Sequence, residues 1–476
     1  MRARPSYSAV QHHAIPAHFD AIQVQIPAPH ACGHDRPRKS LILNAFVEIC
    51  SGPQSPGLWT HPEDESHRFN DINHWIELAQ LLESAKFPRH LHCRCGYAVY
   101  KGPHNREPAI TPGAQWPVNE PLAVVPAMAA ATKSIGFGPT VTTTYEQPYH
   151  LARRLSTVDH LTKGRYIATG YLDSAARNLG HAEQPQHDDR YAIAEEYIKV
   201  AYKLWESSWR ADAVVLDKQR RVYTESSRVR EINYVGKYFN VLGPHLCQPS
   251  PQRTPVALQA GTSKAGKTFA AQHAEAIFNI AEIRDLAKTQ YGRDESAIRF
   301  LALLCPVLGK TEEEAKEKFA YYRSLGSIDG ALALFGRWTG TNLDVYGDDD
   351  ELRSVPSNAI QSATVGEHIT VGGLGSTPVG TPEQVADELE RRVRRQTSMD
   401  SIWYAYAIKP GSFKDIIDLL VPELRRRGLF HEDYAAPRGT YRENLYGKPG
   451  QSGHPADHPA AKYRWHAGVE DHQIPG

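Results

Sequence analysis

No apolar run in this sequence approaches the eighteen or so residues that a membrane-spanning helix needs. The amino-terminal residues hold no continuous apolar segment of the secretory-leader kind. Cysteine is scarce, with six among 476 residues (Cys32, Cys50, Cys93, Cys95, Cys247 and Cys305), irregularly spaced. That excludes a disulfide scaffold and suggests a reducing, cytoplasmic setting. Excess charge of either sign is also missing: lysine plus arginine and aspartate plus glutamate each number 54. Nothing in that balance favours nucleic acid or a membrane surface as a partner.

What is present is an ordinary globular composition, 41% apolar and 23% charged. Residues 1–38 are rich in His, Pro and Ala without any period, and are expected to be a disordered extension. Residues 446–476 are expected to be a disordered tail. Between them, from 39 to 445, strand-length apolar runs alternate with helical patterns.

The strands are "SLILNAFVEI" (40–49), "IGFGPTVTTT" (135–144), "RYIATGY" (165–171), "PVALQAG" (255–261), "EAIFNI" (275–280), "AIRFLALLCPVLG" (297–309) and "SIWYAYAI" (401–408). Each is followed by a helix pattern. Thr311 and the "TPEQ" run at 381–384 supply N-caps, and Gly164 and Gly428 supply stops. An eighth strand belongs at 86–103, "KFPRHLHCRCGYAVYKGP", but this stretch carries Pro88, Arg89, His90, His92 and Arg94. Its His90, His92, Cys93 and Cys95 match no standard zinc spacing, so no metal is expected. Repeated βα units predict parallel strands with helices outside, closed as a (β/α)8 TIM barrel. Insertions at 213–252 (hairpins with a Pro-rich exit) and 325–378 interrupt it.

Such a barrel carries its site at the carboxyl ends of the strands. "GTSKAGKT", from Gly261 to Thr268, formally fits a phosphate loop of a nucleotide hydrolase. The apolar strand ending in Asp that such an enzyme also needs has one candidate, ending at Asp217. It precedes the loop and falls in the hairpin insertion. The same residues also serve as a strand-to-helix turn at a barrel mouth. There, Gly261, Thr262 and Ser263 present backbone N–H groups and hydroxyls to a phosphate. His187 and Tyr191, four apart in "HDDRY", share a helix face. Thr142 and Thr143 end a strand, where hydroxyls suit a polar cofactor ring.

These segments, in order, resemble one family. "LILNAFVE", "GLWTHPEDES", "INHWIELAQLLESAKF", "TTTYEQPYHLARRLSTVDHLTKGR", "HDDRYAIAEEYIKVAYKLWESSW" and "PSPQRTPVALQAGTSKAGKTFAAQHAEAIF" are similar to the nitrilotriacetate and dibenzothiophene-sulfone monooxygenases of the bacterial-luciferase-like superfamily. The resemblance runs over roughly 40–445. It implies a two-component enzyme that takes reduced FMN, as a diffusible co-substrate, from a separate flavin reductase. With O2 it oxidises a small organic substrate through a flavin peroxide. It implies that Thr142 and Thr143 lie by the flavin, that His187 and Tyr191 hold its ribityl-phosphate arm, and that Gly261, Thr262 and Ser263 bind its phosphate. No catalytic residue is identified, and a homo-oligomer is left open.

The family pattern also addresses 86–103. Relatives carry something like "FHGIFIADV" where this chain has "FPRHLHCRCG". One nucleotide deleted after the Phe codon allows that reading, with a flavin-pocket Asp at the position of Arg94. "GRYIATGY" is three residues shorter than the family strand, and part of a βα unit after "HAEAIFN" is missing. Burying unpaired charge in a central strand costs several kcal/mol, against about 5–15 kcal/mol for a whole domain. The alternative expectation is therefore a pseudoenzyme barrel with a damaged flavin pocket.

Overall fold

The computed structural model describes residues 40–52, 54–93, 105–141, 146–170, 187–259, 263–278, 282–339, 371–373, 375–395 and 399–468. All belong to one compact unit spanning residues 38–476. Residues 1–37 lie outside the described residues, as does most of the 325–378 insertion.

Eight strands form the central sheet. They are β1 (Ile42–Glu48), β2 (Arg89–Cys93), β3 (Gly136–Val141), β4 (Ile167–Gly170), β5 (Val256–Gln259), β6 (Ala276–Phe278), β7 (Arg299–Leu304) and β8 (Met399–Tyr404). Each pairs in parallel with its neighbour in sequence, and β1 pairs with both β2 and β8, closing the ring. The strand at the disfavoured stretch forms: Asn44 lies opposite Arg89 on one side and Gly136 opposite Arg89 on the other. The shortened β4 still bridges β3 and β5.

The two-residue period of β1 decides which side chains face which layer. Leu43, Ala45 and Val47 join the core formed with the outer helices, including Trp75 and Leu78 of the helix Ile72–Ser84. Asn44, Phe46 and Glu48 alternate with them and face the lumen. There Asn44 Nδ2 donates to Ser401 Oγ at 2.6 Å. Phe46 packs on Trp403 at 5.7 Å between ring centroids. Val256, Leu258, Ala276 and Leu301 fill the same cluster from β5, β6 and β7.

Helix boundaries follow local chemistry. Thr311 Oγ1 accepts from Glu314 N, and Thr381 N donates to Gln384 Oε1. Gly164, at φ +81°, turns the chain after Pro148–Leu161, where a Cβ would strike Thr440. The 213–252 insertion is built of antiparallel pairs, Val214–Asp217 with Val222–Thr224 and Tyr234–Val235 with Asn240–Val241.

The carboxyl-terminal tail, expected to be disordered from 446 on, is ordered through 468. His458 and Tyr463 are each 2% exposed. The Arg464 guanidinium pairs with the buried Glu206 carboxylate, Trp465 N donates to Glu206 O at 3.0 Å, and the Arg230 guanidinium lies 4.1 Å over the Trp465 ring. A polar segment with no apolar period is thus held by long-range contacts, including the Arg464–Glu206 ion pair and the packing of His458 and Tyr463 on Tyr202. No helix among the described residues is long and apolar enough to cross a membrane.

Candidate active site

Because all eight strands are parallel, Glu48, Val141, Gly170, Gln259 and Tyr404 end them on one face. Thr142 and Thr143 directly follow β3, and Gly261 and Thr262 follow β5. All four lie outside the described residues.

Ser263 is described. It caps the helix Lys264–His273, its Oγ accepting from Gly266 N at 3.1 Å. The helix therefore starts before Gly266, Lys267 and Thr268. Thr268 Oγ1 donates back to Lys264 O at 3.1 Å, and Lys267 Nζ pairs with Glu282 at 2.7 Å. These three residues form no phosphate loop. Asp217 sits in the hairpin insertion, bonded to Arg220 at 2.7 Å. The nucleotide-hydrolase expectation is thereby corrected.

His187 opens the helix His187–Tyr202, which runs beside the Ser263-capped helix. Tyr191 and Phe269 join the two, with ring centroids 6.1 Å apart. One turn on, Phe269 packs on His273 at 4.7 Å, and His273 Nε2 lies 2.7 Å from Glu195 Oε2. Two of the sequence-expected residues, Tyr191 and Ser263, are thus carried on adjoining helices.

Sequence patterning missed a buried polar group on the same face. Glu48 ends the apolar run of β1 and is 1% exposed. Gln115 Nε2 lies 2.8 Å from both carboxylate oxygens, and Gln54 Nε2 lies 3.3 Å from Oε1. Cys50 Sγ is 4.0 Å from Oε2. Five residues beyond β8, Lys409 is fully buried, and its Nζ has no hydrogen-bond partner among the described residues. It rests instead over the rings of Trp75 (4.4 Å) and Tyr406 (5.6 Å). Burial pushes its amine down to about 8, against the opposing pull of Cys50, Asp64 and Glu48. Asp64 Oδ2 accepts from Lys409 N at 2.8 Å and from Ser66 Oγ at 3.1 Å, which pins the long β1 loop to the β8 end. A lone Glu closing the strand "AFVE" was the one available signal for this group.

Among the described residues, no cluster of three or more His, Cys, Asp or Glu side chains is placed to hold a metal ion.

Residues 54–399 match the model of the luciferase-like monooxygenase family. The chain is 44% identical over 447 residues to the long-chain alkane monooxygenase of Geobacillus thermodenitrificans, covering 90% of this chain and 98% of that one. It is 33% identical over 444 residues to the dibenzothiophene-sulfone monooxygenase of Rhodococcus erythropolis, covering 86% and 97%. The solved structure of a riboflavin lyase with modified FMN and riboflavin is 31% identical, with a TM-score of 0.81, covering 90% of this chain and all of that one. These relatives and the closed ring give no support to a decayed, non-catalytic barrel. The chain belongs to the luciferase-like monooxygenase family and is a flavin-dependent monooxygenase.

Proposed function

We propose that the chain is the oxygenase of a two-component system, with reduced FMN supplied by a separate flavin reductase and a small organic molecule as substrate. The flavin would lie across the carboxyl ends of the strands of a full (β/α)8 unit. The observation that carries this is the contact between Tyr191 and Phe269. It sets the helix opened by His187 against the helix capped by Ser263, which supports grouping the proposed arm and phosphate residues at one edge of the mouth.

The helix start capped by Ser263 suits the group. A helix start offers N–H groups and the positive end of its dipole to a phosphate dianion. Gly261, Thr262 and Ser263 would hold the phosphate, His187 and Tyr191 the ribityl arm, and Thr142 and Thr143 the ring. Bound reduced flavin supplies the two electrons with which O2 is split between substrate and water. The protein's part is to position the ring and exclude solvent. Glu48, locked by Gln115 and Gln54, gives the floor a fixed acceptor. The relatives named for a long-chain alkane and for dibenzothiophene sulfone support an organic substrate of low polarity.

An anaerobic titration tests this. Reduced FMN should bind saturably and more tightly than reduced riboflavin, because only FMN engages Gly261, Thr262 and Ser263. Equal affinity for the two would remove the phosphate site.

A further inference from the structure

The carboxyl-terminal tail carries two stacked histidines, and their surroundings suit different charge states. His454 and His458 lie with ring centroids 5.3 Å apart and planes 23° from parallel. His458 is answered at both nitrogens as a neutral ring. Its Nδ1 accepts from Ala460 N at 3.2 Å, and its Nε2 donates to His273 O at 3.2 Å. Burial also holds this imidazole well below its usual range.

His454 instead has an acceptor at each nitrogen. Nδ1 lies 3.1 Å from Pro455 O, a carbonyl that can only accept, so the first ring proton sits there. Nε2 lies 3.4 Å from Glu206 Oε1, and without a proton it has no hydrogen-bond partner among the described residues. A neutral ring thus turns a lone pair towards a carboxylate. A second proton, on Nε2, converts the same contact into a charge-assisted hydrogen bond.

Glu206 stands ready to accept it. The side chain is fully buried in the π-helical turn Lys203–Ser207, paired with Arg464 and accepting from Thr254 Oγ1 at 2.6 Å. Of the other charges around the ring, Glu275 favours a charged His454 but is itself paired with Arg442. Asp457 is turned to Asp294 N at 2.7 Å. Arg253, which acts on Glu206, and Arg293, which acts on His458, oppose a further positive charge. Glu206, in contact with Nε2, sets the sign.

We infer that His454 is a proton-operated latch for the carboxyl-terminal tail: its second proton bonds Glu206 and fastens the tail to the turn Lys203–Ser207, and loss of that proton loosens it. Docking therefore strengthens as pH falls through the range in which histidine titrates, and weakens as pH rises. His458 stays neutral through that range and does not counter the effect. The latch does not rest on the FMN reading.

Hydrogen exchange of the full-length protein, followed by mass spectrometry and corrected for the intrinsic pH dependence of amide exchange, tests it. Peptides covering 454–465 should be roughly tenfold better protected at about pH 5.5 than at about pH 8. In His454→Gln, whose amide donates to Glu206 at either pH, protection should be equal at the two. Nitrogen-15 NMR of wild-type protein, which needs no variant, should show both His454 nitrogens protonated at the lower pH. Equal wild-type protection at the two values, a pH dependence that survives in His454→Gln, or a neutral His454 at the lower pH would overturn the inference.

Discussion

Tyr191 and Phe269 face each other at 6.1 Å, on two helices that are 78 positions apart at their ring contact. This pairing aligns the helix opened by His187 with the N-cap at Ser263. Tyr191→Ala should weaken reduced-FMN binding roughly tenfold, as loss of a charge-assisted hydrogen bond and its aromatic seat would. Tyr191→Phe should keep the ring contact and lose less. A fluorescence titration of both variants checks the order.

Ser263 serves as a cap and as a proposed phosphate ligand, and the two roles separate by measurement. Ser263→Ala should cost about 1 kcal/mol in chemical denaturation through the lost cap. It should also weaken FMN while leaving riboflavin unchanged. Lys267→Ala should change neither affinity, because Lys267 pairs with Glu282 on the flank of the helix.

Lys409 is a buried amine held to about 8. The unfolded chain keeps its proton up to the ordinary 10.5, so the folding penalty is complete below pH 8 and fades as pH rises through that window. Lys409→Met should therefore stabilise the protein at pH 7, on the order of 3 kcal/mol. The gain should shrink as pH climbs towards the unfolded value. Thermal melts of the two proteins across that range check both sign and window.

His74 works in the opposite pH range. Burial holds its imidazole down at about 3, so the folded form stays neutral where the unfolded one takes up a proton near 6.5. Stability should fall as pH drops from 6.5 towards 3. In His74→Gln that acid slope should be shallower, as read from urea midpoints at stepped pH.

Arg442 and Glu275, both fully buried, pair at 2.7 Å just before β6, at the end of the barrel away from the mouth. Burial raises the Glu275 carboxyl, but Arg442 outweighs it and keeps the group below its usual range. Arg442→Ala leaves that charge unanswered and should cost about 3–5 kcal/mol in urea unfolding, without altering flavin specificity.

The strand pattern was legible because apolar runs of strand length, capped helices and stop glycines are local signals. Even 89–93 takes its place in the ring, since neighbours on both sides offer a ladder of backbone groups whatever the side chains. What escaped was non-local. Glu48 meets Gln115 across 67 positions, and Arg464 meets Glu206 across 258. No window along the chain contains either pair, so the polar floor of the mouth and the order of the tail emerge only in three dimensions.

On the proposed reading, reduced FMN binds at the mouth along the helix pair joined by Tyr191 and Phe269. Its most direct test is an anaerobic titration of the folded, full-length protein with reduced FMN, repeated with Tyr191→Ala. Saturable binding that weakens in the variant is the predicted result. A folded protein that binds no reduced FMN, or binds it equally well in the variant, would contradict the account.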